Sequence, residues 1–124
     1  MERNEVTIVS CLRPEKDGES YRITFSNGEA LSFTEEEVLE HGLYREGEPC
    51  RGYEEICTVV LAKRMMASAA SYVLFSTKTE AQVRRRLAEK FPVSEIGEGW
   101  ARFTAAALEE TIRRLKELGY LDDA

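Results

Sequence analysis

The chain has 124 residues, 43% of them apolar and 32% charged, and a formal net charge of −6. That length allows one domain or two small subdomains, and that apolar content excludes a disordered chain. The acidic balance disfavours general nucleic-acid binding, in which attraction to phosphate dominates.

The first half reads as strands. Val6–Leu12, VTIVSCL, is apolar and β-branched, and predicts a strand over about residues 5–13. Pro14–Ser20 is a polar, turn-rich break. Tyr21, Ile23 and Phe25 alternate with Arg22 and Thr24, and Leu31 and Phe33 alternate with Ser32, so strands fall near 20–25 and 29–33. Between them lies Ser26-Asn27-Gly28. A two-residue Asn-Gly loop would send the two apolar faces to opposite sides of the sheet. A three-residue loop pairs Ile23 with Leu31 and Tyr21 with Phe33, with Gly28 in the left-handed position, and this register is the one expected.

A short helix follows over about 35–41. Thr34 and Glu37 have capping-box spacing, Gly42 is placed to end the helix, and Leu43 can fold back on Val38. His41, the single histidine, falls in the last turn and reads as a surface residue favoured by the helix dipole. Arg45–Gly52 reads as a connector.

From Tyr53 the period changes to that of helices, and three are expected, over about 53–75, 80–90 and 105–118. The first is apolar over most of its circumference except Lys63-Arg64. The second starts with a Thr79–Gln82 capping box, buries Val83, Leu87 and Phe91, and stops before Pro92. Pro92–Phe103 is a longer connector in which Trp100 and Phe103 anchor to the bundle. The third starts after Thr104 and runs to Leu118 with Leu108, Ile112, Leu115 and Leu118 inward, and closes with Gly119 and Tyr120. The fold class is therefore α+β: a small N-terminal antiparallel β unit with one short helix (residues 1–52), then a three-helix bundle (residues 53–124).

Charge divides along the same line. Residues 1–52 carry 12 acids and 6 bases, whereas residues 53–124 carry 11 of each. Between Lys78 and Lys90 five bases, Lys78, Arg84, Arg85, Arg86 and Lys90, stand against two acids, Glu80 and Glu89. These five are the candidate partner-binding residues, although three successive arginines fan around a helix and Glu80 is placed to pair with Arg84.

No catalytic constellation is found. There is no Gly-rich phosphate loop, no G-x-S-x-G and no C-x-x-C, and His41, Cys50 and Cys57 lack metal-site spacing. Cys11, Cys50 and Cys57 are odd in number and irregularly spaced, which suits a reduced, cytoplasmic protein. The N-terminal MERNEVT has no apolar signal core, and the apolar run Met65–Phe75 is too short to span a membrane. The expectation is a non-enzyme with no cofactor, no metal and no membrane partner.

Three stretches resemble the RecX family of bacterial regulators of the recombinase RecA: YRITFSNGEALSFTEEEVLEHGLYREGE (Tyr21–Glu48), TKTEAQVRRRLAEKF (Thr77–Phe91) and TIRRLKELGYLDDA (Thr111–Ala124). They stand in family order and cover about half of the 124 residues. The last is the most specific. The resemblance implies a regulatory protein that binds the RecA–DNA filament along its groove and inhibits recombinase activity. It further implies single-stranded DNA as a weaker partner and a place in DNA repair, recombination and the SOS response. The family continues past the GYLDD pattern into further three-helix repeats, so this stretch reads as a joint between repeats, in a fragment or a one-repeat member. The connector after Phe91 is longer than the family's. A small helical nucleic-acid-binding module, or an interaction domain with an unrelated partner, are the alternatives.

Overall fold

The computed structural model describes residues 5–16, 18–92 and 98–122. Val93–Gly97, in the middle of the expected connector, and Asp123 of the terminal motif lie outside them. The fold is α+β, a three-stranded antiparallel sheet followed by helices. The chain divides into two compact units after Ile56, four residues inside its longest helix.

In the first unit, β1 (Ile8–Leu12), β2 (Tyr21–Phe25) and β3 (Ala30–Phe33) form a sheet of order β1-β2-β3. Ile23 pairs with Leu31 and Tyr21 with Phe33, the register in which the apolar residues share one face. The loop is closed by Phe25 and Glu29, whose N–H···O distance is 2.8 Å, and Gly28 has φ +89°. β1 is shorter than expected. Its ladder to β2 is irregular between Ile8 and Ser10, so Val9 is turned out to solvent while Ile8 is buried opposite Phe25. An extra residue in one strand has this effect on direction.

Ile8, Ile23, Phe25, Leu31, Phe33, Val38, Leu43, Cys50 and Tyr53 make the core of this unit. Phe25 meets Phe33 and Tyr53 edge-on, with centroids 6.4 and 4.6 Å apart, and the Tyr53 hydroxyl donates to the Glu29 carboxylate. The helix α1 (Glu35–His41) has its full capping box: Thr34 Oγ1 accepts from Glu37 N–H at 3.1 Å, and Glu37 Oε1 accepts from Thr34 N–H at 2.9 Å. Gly42 ends it at φ +67°, which lets Leu43 N–H reach Val38 O at 2.9 Å. The connector expected over Arg45–Gly52 is more ordered than that. Gly47 and Cys50 donate to Ile8 and Val6 carbonyls, and Ile8 donates to Glu48, so this segment covers the outer edge of β1. Unpaired edge groups are satisfied in this way.

α2 (Tyr53–Val73) carries the boundary between the units. Beyond Ile56 it buries Cys57, Leu61, Met65, Ala69 and Val73, one residue in four, with Val60 and Ala62 beside them. By length and a mean hydropathy of 1.2 it is long and apolar enough to cross a membrane. Its buried residues lie along one side, and 39% of the span is buried within the fold. It ends at Val73, two residues before the expected limit. Leu74 and Phe75 turn outward, because the chain must reverse and extend before the next helix starts at a β-conformation cap, Thr79.

α3 (Glu80–Lys90) starts with the Thr79–Gln82 capping box and buries Val83 and Leu87; Phe91, its C-cap, is only half-buried. A short helix that the sequence reading lacked, α4 (Glu98–Ala101), leads to buried Trp100 and Phe103, whose rings meet edge-on at 6.4 Å. α5 (Thr104–Glu117) begins at Thr104 itself, after Phe103, and has no side-chain cap. Its inward residues are Ala107, Thr111, Ile112 and Leu115. Leu108 is half-buried and Leu118 exposed, which corrects the expected stripe. The small Ala107 and Thr111 hold the inward face because Thr111 Oγ1 can donate to the Ala107 carbonyl at 2.8 Å, next to the Ala62 carbonyl of α2 at 3.3 Å. Leu118 is the C-cap, where Gly119, at φ +78°, reverses the chain. Tyr120 N–H then reaches Leu115 O at 3.0 Å and Gly119 N–H reaches Lys116 O at 3.1 Å, a full Schellman motif. The tail runs on beside the α2–α3 connector, with Asp122 N–H donating to Lys78 O at 2.8 Å.

Candidate functional site

The five candidate bases lie on or just before α3, and their surroundings separate them. Arg84 is engaged. Its Nε donates to Glu80 at 2.8 Å, and its two terminal nitrogens grip the Glu109 carboxylate of α5 at 2.7 and 3.0 Å. Lys116 holds the other Glu80 oxygen at 2.7 Å. The four groups alternate in sign and tie α3 to α5. Hydrogen bonds from Lys116 and Arg84 pull the Glu80 carboxyl below its ordinary range, and Arg84 does the same to Glu109. The Arg84 guanidinium is pushed up in return, first by Glu109 and then by Glu80. A guanidinium so neutralised holds two helices together and contributes little to the outward field.

Lys78 and Arg86 converge on Tyr72 of α2. The Lys78 ammonium lies 4.8 Å and the Arg86 guanidinium 5.1 Å from the ring centroid, both within cation–π range. Lys78 donates to Ser76 Oγ, and the Arg86 Nε is buried with no hydrogen-bond partner. Lys90 is one helical turn beyond Arg86 on the same face. Arg85 and Lys90 are exposed and have no carboxylate partner among the described residues. On α5, Arg113 is held by Glu110 and Glu117 at 2.6 and 2.5 Å.

Lys78 and Arg86 thus gather on half-buried Tyr72, Arg85 and Lys90 stand exposed on α3, and Arg84 is drawn into an ion network with Glu80 and Glu109. Sequence reasoning missed Tyr72, and it missed Phe75, which is 89% exposed three residues before Lys78. Both stand in an apolar run whose pattern is that of core. Only the position of the helix end distinguishes the two roles.

The remaining reactive groups are quiet. Burial raises the Cys50 thiol, and burial followed by Glu46 raises that of Cys11, so both are held as thiols. The cysteines are free, and no group of three metal-ligating side chains occurs among the described residues.

No family model matches the chain, and no curated protein matches it. A solved structure, described as the crystal structure of regulatory protein RecX, is similar at 16% identity with a TM-score of 0.43. The match covers 94% of this chain and 52% of that one, so the chain spans about half its length.

Proposed function

We propose that the chain is a RecX-like regulatory protein. It binds the RecA filament formed on DNA through its second unit and restrains recombinase activity. The observation that carries this reading is the basic run on and before α3, in which Lys78 and Arg86 meet on Tyr72 and Arg85 and Lys90 are exposed. It stands within one of the stretches that resemble the family, in a chain otherwise acidic. A filament carrying DNA presents negative charge, and a basic surface steers and orients such an encounter without reading bases. Arg84, although part of the same run, keeps α3 seated on α5 so that the other bases are presented in fixed directions.

A second reading is favoured by Phe75. An exposed aromatic ring next to several cations suits a single-stranded nucleic acid, whose bases stack on the ring while phosphates meet the bases of the protein. Three binding arms separate the readings: RecA assembled on single-stranded DNA, RecA without DNA, and single-stranded DNA alone. The regulator reading predicts the tightest binding to the filament, together with slower strand exchange and ATP hydrolysis by RecA. Equal affinity for naked DNA and filament supports the nucleic-acid module. Binding to none of the three overturns both.

A further inference from the structure

Beyond α5 the chain doubles back onto the α2–α3 connector. Gly119, at φ +78°, reverses its direction, and the Leu115 carbonyl accepts the Tyr120 N–H at 3.0 Å. Leu121 then pairs with Lys78 in a short parallel bridge, and the Asp122 N–H donates to the Lys78 carbonyl at 2.8 Å. Among the described residues, this pairing is what ties the backbone of residues 75–78 to another element. Lys78 is also the residue whose ammonium lies 4.8 Å from the Tyr72 ring centroid, with the Arg86 guanidinium 5.1 Å from the same centroid. Two like charges on one ring repel each other, so the Lys78 main chain has to be held in place. The tail is positioned to hold it.

The tail is itself lightly held. Leu118 and Tyr120 are exposed and Leu121 is half-buried, so lifting the tail away uncovers little further apolar surface. Segments with few buried apolar contacts open at a small fraction of the global unfolding free energy. We infer that Tyr120–Asp122 form a strap, and that its closure positions Lys78 on Tyr72 for the partner. The inference rests on the proposed function for the identity of that partner, but not for the strap. A chain with the strap open keeps its three helices and presents Lys78 in many directions. Its apparent affinity then falls with the fraction of molecules in the competent state.

The test compares two variants of the whole chain. Asp122→Pro removes the N–H that holds Lys78, and Asp122→Ala keeps it. Both lose the same carboxylate, so their difference reports the hydrogen bond. Protons above an aromatic face resonate upfield, and the Lys78 ε-methylene therefore shows whether its ammonium end lies on Tyr72. The inference predicts an upfield Lys78 ε-methylene in the parent and in Asp122→Ala, an ordinary lysine position in Asp122→Pro, and equal melting temperatures for the two variants. Against RecA assembled on single-stranded DNA, Asp122→Pro should bind about two- to fivefold more weakly than Asp122→Ala, as expected for one exposed charge, with a shallower salt dependence. In a Lys78→Ser background the two variants should bind alike. Unchanged Lys78 resonances in Asp122→Pro overturn the strap. Displaced resonances with equal filament binding, or a binding difference that persists with Lys78→Ser, overturn its role in presenting Lys78. If the parent binds no filament, the proposed function fails together with the link to the partner, and the resonances still decide the strap.

Discussion

Replacing Leu115 by alanine removes three carbons from a side chain that is 0% exposed. Transfer of those carbons to water accounts for about 2.4 kcal/mol, at about 0.8 kcal/mol each. The residual cavity adds to this, and the range for such changes is roughly 2–5 kcal/mol. A value near 3–4 kcal/mol is expected, because Leu115 is fixed on both sides: its helix turn packs inward through Ile112, and its carbonyl accepts the Tyr120 N–H. Leu118→Ala is the matched control, since Leu118 is three residues on but 56% exposed, and its change should stay within about 0.5 kcal/mol. Urea unfolding followed by circular dichroism measures both. The reasoning is refuted if the two variants shift the midpoint equally, or if Leu115→Ala loses less than about 1 kcal/mol.

Gly119→Val should destabilise by roughly 1–2 kcal/mol through left-handed backbone strain alone, since a Cβ there meets no atom within 4 Å; Gly119→Ala should retain most of that loss, and thermal melts compare them. Gly28→Val is expected to lose a similar amount, about 1–2 kcal/mol, for the same reason, with the hairpin amides exchanging faster. Stability should fall on acidification. Glu80, Glu109 and Glu110 have carboxyls held below their ordinary value of 4.5, so the native state binds fewer protons. Their contribution is complete above about that pH and is lost as pH falls through the lowered values. Urea midpoints from neutral pH down to pH near 3 check this, and the doubly substituted Glu80→Gln, Glu109→Gln chain should show a flatter profile.

Legibility in the sequence followed the range of the interactions. The capping boxes at Thr34 and Thr79 and the glycine caps at 42 and 119 act within a few residues, and they stand where the pattern puts them. The hairpin register was legible because a slip by one residue would have exposed Ile23 or Leu31. What the pattern could not supply came from longer range. Leu74 and Phe75 look like core by composition, yet the reversal into Thr79 turns them out. Ala107 and Thr111 look unremarkable, yet their small size and one satisfied hydroxyl put them against α2. Within the basic run the i, i+4 pairing of Glu80 with Arg84 was readable, whereas the grip of Arg84 on Glu109, 25 residues away, was not. The gathering of Lys78 and Arg86 on Tyr72 likewise needs α2 and α3 side by side.

The most direct measurement is the affinity of the chain for RecA assembled on single-stranded DNA, taken across a salt series for the parent and for a variant with Lys78, Arg85 and Arg86 changed to serine. Arg84 is kept, so that the α3–α5 ion network and the melting temperature are preserved. The account predicts parental binding that weakens steeply with salt, and a folded variant that binds at least about tenfold more weakly with a shallower slope. A folded variant with the parental affinity and slope would contradict it, and would move partner binding away from this surface.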